Sequence, residues 1–289
     1  MPNIAIITDS TAQFANPNFH GNDIVRVIPA SIKFNDVLYD NDEDKKPKVS
    51  NFPLIPFSKT DPQLVMPDQN ELSKLFVQLL KTYNELIVLT SSTNITSIYQ
   101  NCVDAVDLIK GKSAIQVIDS QTVSVGLGHL VQIAAEKIAT GATSTETERE
   151  IRQLIPHIYT LFCSPCLRYL SNISLLDYSQ AVIGEILSMY PIYSLEDGIP
   201  KSLCKTKNFR NTQDYFQEFI EEYEFLKHIA IIKGIGINGF DNRTLKQYAQ
   251  EIHPDTPFSE HRLNSYLAAI FGPKTLGLIV IEKPYSLEG

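Results

Sequence analysis

Three groups of residues in this chain have the types and spacings that chemistry uses. In "HIAIIKGIGINGFDNRTLKQYAQEI", Gly234, Gly236 and Gly239 stand at G-x-G-x-x-G between an apolar run and a helical pattern. That spacing holds a dinucleotide pyrophosphate at a helix start. Cys163 and Cys166 in "FCSPC" form C-x-x-C, the spacing of a redox pair or of half a zinc site. Finally, Thr8-Asp9-Ser10-Thr11, Thr90-Ser91-Ser92-Thr93 and Asp119-Ser120 each close an Ile- and Val-rich run with small hydroxyl residues. Such hydroxyls can donate to a carboxylate or phosphate, and an ionised acceptor strengthens the bonds.

Spacing alone does not decide among them. A dinucleotide fingerprint needs further parallel strands and an acidic residue about 20 positions on at a strand end. Here about fifty residues and one clear strand follow Gly239, and Glu251 and Asp255 fall at a helix end. The glycines therefore read as a tight strand-to-helix turn. The cysteine pair lies in "IYTLFCSPCLRYL", which reads as a strand running into a turn, where small buried thiols are the expectation. The hydroxyl clusters carry two readings. Ser, Thr and Asp are what helix N-caps require, whereas three such clusters at strand ends could line a crevice, because open α/β sheets bind ligands beyond the carboxyl ends of their strands.

The elements that must hold these residues follow from hydrophobic periodicity. "NIAIITDS", "VRVIPASIKF", "ELIVLTSS" and "AIQVIDSQ" read as strands, with helical stretches around 69–83, 95–110 and 122–140. The alternation predicts a parallel sheet with helices on both faces. Between 35 and 67 the pattern breaks into a charge run and Pro47, Pro53, Pro56, Pro62 and Pro67, which reads as a long loop lying across the strand ends. The second half offers "YTLFCS", a helix in "DYSQAVIGEILSM" and two strands meeting at Glu196-Asp197-Gly198. Asp-Gly between apolar runs signals a hairpin. Helix 212–226, strand "HIAIIKG", helices 241–252 and 259–269 and a last strand "TLGLIVIE" complete it. The expectation is an α/β chain: an N-terminal three-layer, parallel-sheet domain over 1–157, and a C-terminal α+β domain with a mixed or antiparallel sheet over 158–289.

Composition excludes several classes. The 289 residues are 43% hydrophobic and 20% charged, the profile of a globular protein. A formal charge of −8 without a basic stripe argues against nucleic acid. No run approaches the roughly 20 apolar residues of a membrane span, and no leader pattern opens the chain, so a cytoplasmic location is expected. No G-x-S-x-G elbow, H-E-x-x-H or phosphate loop occurs, and the six histidines lack ligand spacing, so neither a catalytic residue, a metal nor a cofactor is expected.

Several segments together resemble one family in order along nearly the whole chain. "NIAIITDSTAQF" resembles the opening T-D-S-T-A of DegV-family proteins, and "VRVIPASIKFNDVLYDND" their second strand. "TSSTNITSIYQNCVDA" is similar to S-S-x-L-S-G-T-Y-Q-S-A, and "VIDSQTVSVGLGHLVQIAAE" to the specific V-I-D-S-x-x-x-S-x-G-L-G signature. "LFCSPCLRYL", "YPIYSLEDGIP" and "IFGPKTLGLIV" resemble D-T-L-E-Y-L, K-P-I-L-x-L-x-D-G and H-x-G-P-G-x-x-G. The resemblance implies a two-domain carrier of one long-chain fatty acid, with the acyl tail in a tunnel of the C-terminal domain and the carboxylate near the domain interface. It also implies presentation of the bound acid to a separate ATP-dependent fatty acid kinase rather than catalysis by the carrier.

By ungapped alignment on Tyr99-Gln100, Ser92 and Thr93 take the place of the S-S pair that holds the carboxylate. Thr11, Asp119 and Ser120 would shape the crevice, and Thr60 lies near the family's Thr-Ser segment. Ile270 stands where the closing motif has His, and "SNISLLDY" replaces the basic glycine turn. Two other readings stay open: an accessory of phosphotransfer binding a phosphorylated metabolite in a related fold, and a divergent paralogue serving protein interaction alone.

Overall fold

A computed structural model describes residues 3–40, 45–55, 62–110 and 114–284. These residues fall into two compact units. One gathers the described residues of Met1–Lys46, Leu64–Pro156 and Asp197–Ile199, and the other those of Pro47–Gln63, His157–Glu196 and Pro200–Gly289.

The first unit is built on β1 (Ile4–Asp9), whose six side chains are all buried. A strand buried on both sides along its length belongs in the middle of a parallel sheet covered on both faces. β2 (Val25–Ile28) pairs with it in parallel, Thr8 opposite Val27. "VRVIPASIKF" is not one strand. Pro29, which has no N–H for a ladder, ends β2, and β3 (Ser31–Phe34) joins a different sheet. β3 turns through Asn35 and Asp36, at φ of 52° and 59°, into β4 (Val37–Tyr39). Two successive left-handed residues make the tight hairpin turn whose twist suits antiparallel strands. With β5 (Gln63–Val65) these form a three-stranded sheet in the order β4-β3-β5. The stretch 35–67 is therefore not one loop, because short strands and a 3-10 turn at Val49–Asn51 interrupt it.

Helix α1 (Gln69–Leu79) starts at Asp68, which accepts from the N–H groups of Asn70 and Glu71, while Glu71 accepts from the Asp68 N–H. This reciprocal box satisfies donors that a helix start leaves open. β6 (Glu85–Thr90), α2 (Ile98–Asp107), β7 (Ile115–Asp119), α3 (Ser124–Ala139) and α4 (Ser144–Leu154) follow. The parallel sheet runs β2-β1-β6-β7, with Thr8 opposite Leu89 and Thr90 opposite Asp119. Helix α3 packs close to the end of β1, since a Cβ on Gly128 would lie 2.0 Å from the Gln13 carbonyl oxygen. Only glycine permits that approach.

The second unit contains β8 (Ile158–Cys163), α5 (Leu167–Asn172), α6 (Tyr178–Ile186) and the hairpin of β9 (Tyr190–Glu196) and β10 (Ile199–Thr206) except for its turn, Asp197–Ile199, which belongs to the first unit. α7 (Phe209–Glu221), β11 (Leu226–Lys233) and α8 (Asn242–Ile252) follow, then β12 (Phe258–Arg262), α9 (Ser265–Phe271) and β13 (Leu276–Glu282). Its mixed sheet runs β10-β9-β8-β13-β11-β12, antiparallel along β9-β8-β13-β11 and parallel only at β11-β12. The expected helix 259–269 is corrected. Its first residues alternate along β12 beside β11, and the helix begins only after Asn264 caps Leu267. Pairing along five residues outweighed a helical pattern shared with the α9 that follows. Phe209, Phe216, Ile231, Leu245 and Leu278 pack as this unit's core. Burying each contributes about 1.5–3 kcal/mol. Hydrogen bonds from the Ser265 hydroxyl to Pro47 O (2.9 Å) and from the Tyr169 hydroxyl to Pro53 O (2.8 Å) tie the 47–55 segment into it.

On β11 and β12, His228 Nε2 and His261 Nε2 lie 2.7 and 2.9 Å from the one hydroxyl of Ser259. A hydroxyl has one proton to give, so one imidazole accepts from it and the other donates to it. Burial first, then the neighbouring His261, lowers His228 from 6.5 to about 4. The unfolded chain therefore binds this proton more readily across that window, and the stability this site contributes is present above pH 6.5 and lost as pH falls toward 4. Urea midpoints measured from pH 7 to pH 4.5 should fall more steeply for the natural chain than for His228→Phe; parallel slopes would remove His228 from the acid response.

Candidate functional site

The parallel strands β1, β6 and β7 end side by side, which brings four of the expected residues, Thr11, Ser92, Asp119 and Ser120, to one end of the sheet. None of them caps a helix: α2 starts after Ser97 and α3 after Val123, neither with a side-chain cap. The hydroxyls instead hold turns and neighbouring strands. Ser120 donates to Thr122 O (3.2 Å) and accepts from Thr122 N–H (3.3 Å). Ser10 donates to Ile28 O (2.9 Å) and accepts from Ala30 N–H (3.0 Å), bridging the break at Pro29.

The organising group is Asp9, which sequence reasoning quoted within its cluster but did not single out. Its carboxylate is fully buried. Thr11 donates to Oδ1 through its N–H (2.9 Å) and its hydroxyl (2.6 Å), and the Ser91 N–H donates to Oδ2 (2.6 Å). Asp9 thereby sets both the turn that carries Thr11 and the turn after β6. The available signal was a carboxylate ending a run whose other residues are apolar or hydroxylic: such a group is either paired with donors or not buried.

Ser92 is fully buried. Its N–H donates to Thr122 O (2.9 Å), its hydroxyl accepts from Asn94 N–H (3.2 Å), and its proton goes to Gly198 O (2.7 Å). Gly198 (φ 77°) follows Asp197 (φ 52°) in the turn of the β9–β10 hairpin, and both residues belong to the first unit. A Cβ on Gly198 would lie 2.8 Å from the Ser92 hydroxyl, so both space and backbone require glycine. The Asp-Gly turn is legible in sequence; its reach to Ser92, 106 residues away, is not.

Thr93 is exposed, and its N–H donates to Asp119 Oδ2 at 3.3 Å. Burial raises the Asp119 carboxyl above its ordinary range, opposed by hydrogen bonds from the Gln121 and Thr93 N–H groups. Thr60 lies outside the described residues. Thr8 Oγ1 is buried with no hydrogen-bond partner among the described residues.

The cysteine pair sits differently from expectation. Cys163 ends β8 and Cys166 precedes the first residue of α5, a strand–turn–helix rather than a strand and turn. Six helical residues are too short a periodic signal to read. Both thiols are free and buried, and burial raises them to about 12 and about 11. Thiols held so far from the thiolate are inert. Among the described residues no group of three or more His, Cys, Asp and Glu is placed to hold a metal, and no helix is long and apolar enough to cross a membrane.

Fold and site together define a class: an α/β protein of two units in which buried hydroxyls and one carboxylate gather where parallel strands end. The sequence pattern of DegV, a family described as uncharacterised, matches residues 3–283, and the chain belongs to that family. A DegV domain-containing protein of Caldanaerobacter subterraneus is 30% identical over 207 residues, 72% of each chain. The solved structure of a fatty acid binding DegV family protein from Streptococcus agalactiae covers 98% of this chain and 100% of its own at 21% identity, with a TM-score of 0.82. A DegV family protein from Eubacterium eligens, loaded with heptadecanoic acid, covers 97% and 100% at 13% identity, with a TM-score of 0.77.

Replacing Asp9 with Asn keeps the shape but turns an amide N–H toward one of its donors. Leaving buried donors unsatisfied costs about 1–3 kcal/mol each, so thermal unfolding should shift down by several degrees. A melting temperature within one degree of the natural chain would show that Asp9 does not anchor the sheet end.

Proposed function

We propose that this chain binds a long-chain fatty acid and carries it without performing chemistry on it. The observation that carries the reading is the buried Ser92 hydroxyl just beyond β6, at the same end of the sheet as Thr11, Asp119 and Ser120, in a fold whose relatives include proteins described as fatty-acid-binding. Ser92 and Thr93 hold the carboxylate, Thr11 and Ser120 shape its surroundings, and Thr60 is a further candidate contact. The acyl chain is buried, and each methylene removed from water contributes about 0.8 kcal/mol.

The hydrogen bonds supply a mechanism of capture. The Ser92 proton rests on a neutral carbonyl, Gly198 O. An ionised carboxylate is the stronger acceptor by roughly a factor of two in bond energy, so an arriving fatty acid takes that proton's bond and Gly198 gives it up. Asp119 does not hold the donor: its oxygens accept from the Gln121 and Thr93 N–H groups, and the Ser92 proton goes to Gly198 O. Activation of the carried acid falls to a separate ATP-dependent kinase, which would convert the carboxylate to an acyl phosphate.

Native mass spectrometry of the protein purified without added ligand, followed by denaturing extraction, should give a one-to-one adduct with the mass of a long-chain fatty acid. A ligand-free mass that persists after incubation with such acids would sink the carrier reading. In Ser92→Ala, loss of one charge-assisted bond should weaken retention about tenfold, the equivalent of about 1.4 kcal/mol. Unchanged retention would remove Ser92 from the site and leave the carrier reading standing.

A further inference from the structure

On the fatty-acid reading, the ligand's carboxylate takes the acceptor position that Gly198 O holds against Ser92. A Cβ on Gly198 would lie 2.8 Å from the Ser92 hydroxyl and 3.1 Å from Gln121 Cα, so that position is bracketed by the turns that follow β6 and β7. Both turns also hold Asp119. The Gln121 N–H donates to its Oδ1 (2.9 Å), and the Thr93 N–H, next to Ser92, donates to its Oδ2 (3.3 Å). A carboxylate that displaces Gly198 therefore arrives beside a second carboxyl group.

The charges already there are negative. β1 brings Asp9, buried and held by the N–H and hydroxyl of Thr11 and the N–H of Ser91, all neutral donors. The hairpin turn brings Asp197, adjacent to Gly198. Thr90, Ser91 and Asn94 on the β6 side and Ser120 and Ser124 toward α3 carry no charge. On α2, burial and then the Asp9 charge raise the Cys102 thiol, which stays neutral, while Asp104 and Asp107 fall toward the far end of the helix. Among the described residues, what opposes the rise that burial gives the Asp119 carboxyl is two backbone N–H groups and no cation. The starts of α2 and α3 lie at the same end of the sheet and contribute about half a positive charge each. Against Asp9, Asp119 and an arriving carboxylate, they leave the site negative.

We infer that the fatty acid is bound together with one proton, shared between its carboxylate and Asp119, so that Asp119 sets the pH at which the ligand is held and released. Carboxylates crowded into one site cannot both stay ionised, and one of them takes up a proton. A protonated Asp119 has an O–H to donate to the ligand, beside the O–H of Ser92. Hydrogen bonds to an ionised acceptor are the strong ones, so the proton adds to retention as well as removing repulsion. The loaded site binds this proton more tightly than the empty one. Affinity is therefore highest in mild acid, and it falls by up to about tenfold per pH unit as pH rises from the pKa of the empty site to that of the loaded one.

The affinity of the delipidated full chain for palmitate, delivered as monomer from cyclodextrin, is measured between pH 5.5 and pH 8.5 for the natural chain and for Asp119→Asn. The Asn side chain carries an N–H where the protonated carboxyl carries its O–H, and it does not titrate. The natural chain should lose at least about tenfold in affinity across the range, while Asp119→Asn should change less than about threefold and bind more tightly than the natural chain at pH 8.5. Ionisation of free palmitate is common to both proteins and cancels in the comparison. Circular dichroism shows that the variant folds, and Asp119→Ser, which also keeps a donor and does not titrate, replaces it if it does not. Binding with equal pH slopes in the two proteins overturns the shared proton and leaves the carrier reading standing. Absence of palmitate binding in both sinks the carrier reading and the shared proton with it.

Discussion

A carboxylate taken out of water loses hydration worth several kcal/mol, and Asp9 at the end of β1 is buried completely. It recovers that loss from three donors, two on Thr11 and one on the first residue after β6. Because the donors come from two different segments, satisfying one side chain fixes the relative position of two turns. The parallel sheet delivers those turns to a common edge, and Asp9 then sets the angstroms. Ser92 follows one residue beyond the Ser91 N–H that Asp9 holds, so its hydroxyl inherits a position defined by a neighbour it never touches.

Pro29 shows the same economy of polar groups. Where β2 stops and β3 leaves for another sheet, a break in the ladder would strand a carbonyl and an N–H, and the Ser10 hydroxyl serves both Ile28 and Ala30. The second unit solves an analogous problem by another route. Its sheet is antiparallel along four strands and becomes parallel only at β11–β12, which leaves two strand ends pointing the same way and opening beside a glycine turn.

Much of this was legible in sequence where periodicity was long. The apolar runs that became β1, β6, β7, β11 and β13 and the helices from 69, 98, 124 and 242 read correctly because burial imposes their patterns. Short elements did not. β12 and α9, of five and seven residues, merged into one supposed helix, α5 passed as a turn, and β4 and β5 of the three-stranded sheet were read as loop. The site was half legible. Strand ends with hydroxyls predict where polar groups gather, and Thr11, Ser92, Asp119 and Ser120 do gather. What no pattern announces is that Asp9 is the hub, or that the partner of Ser92 arrives from a hairpin distant in the chain, since that depends on a contact between segments whose spacing carries no period.

That long separation gives protein synthesis a role in the site's history. Ser92 emerges from the ribosome 106 residues before Gly198. At roughly 5–20 residues per second, the interval is about 5–20 s, far longer than the about 10–100 μs in which a chain of this size collapses. The rest of the first unit can be assembled while Ser92 still lacks its carbonyl acceptor. For those seconds the nascent chain presents the Ser92 hydroxyl without the hairpin carbonyl that receives its proton in the folded chain.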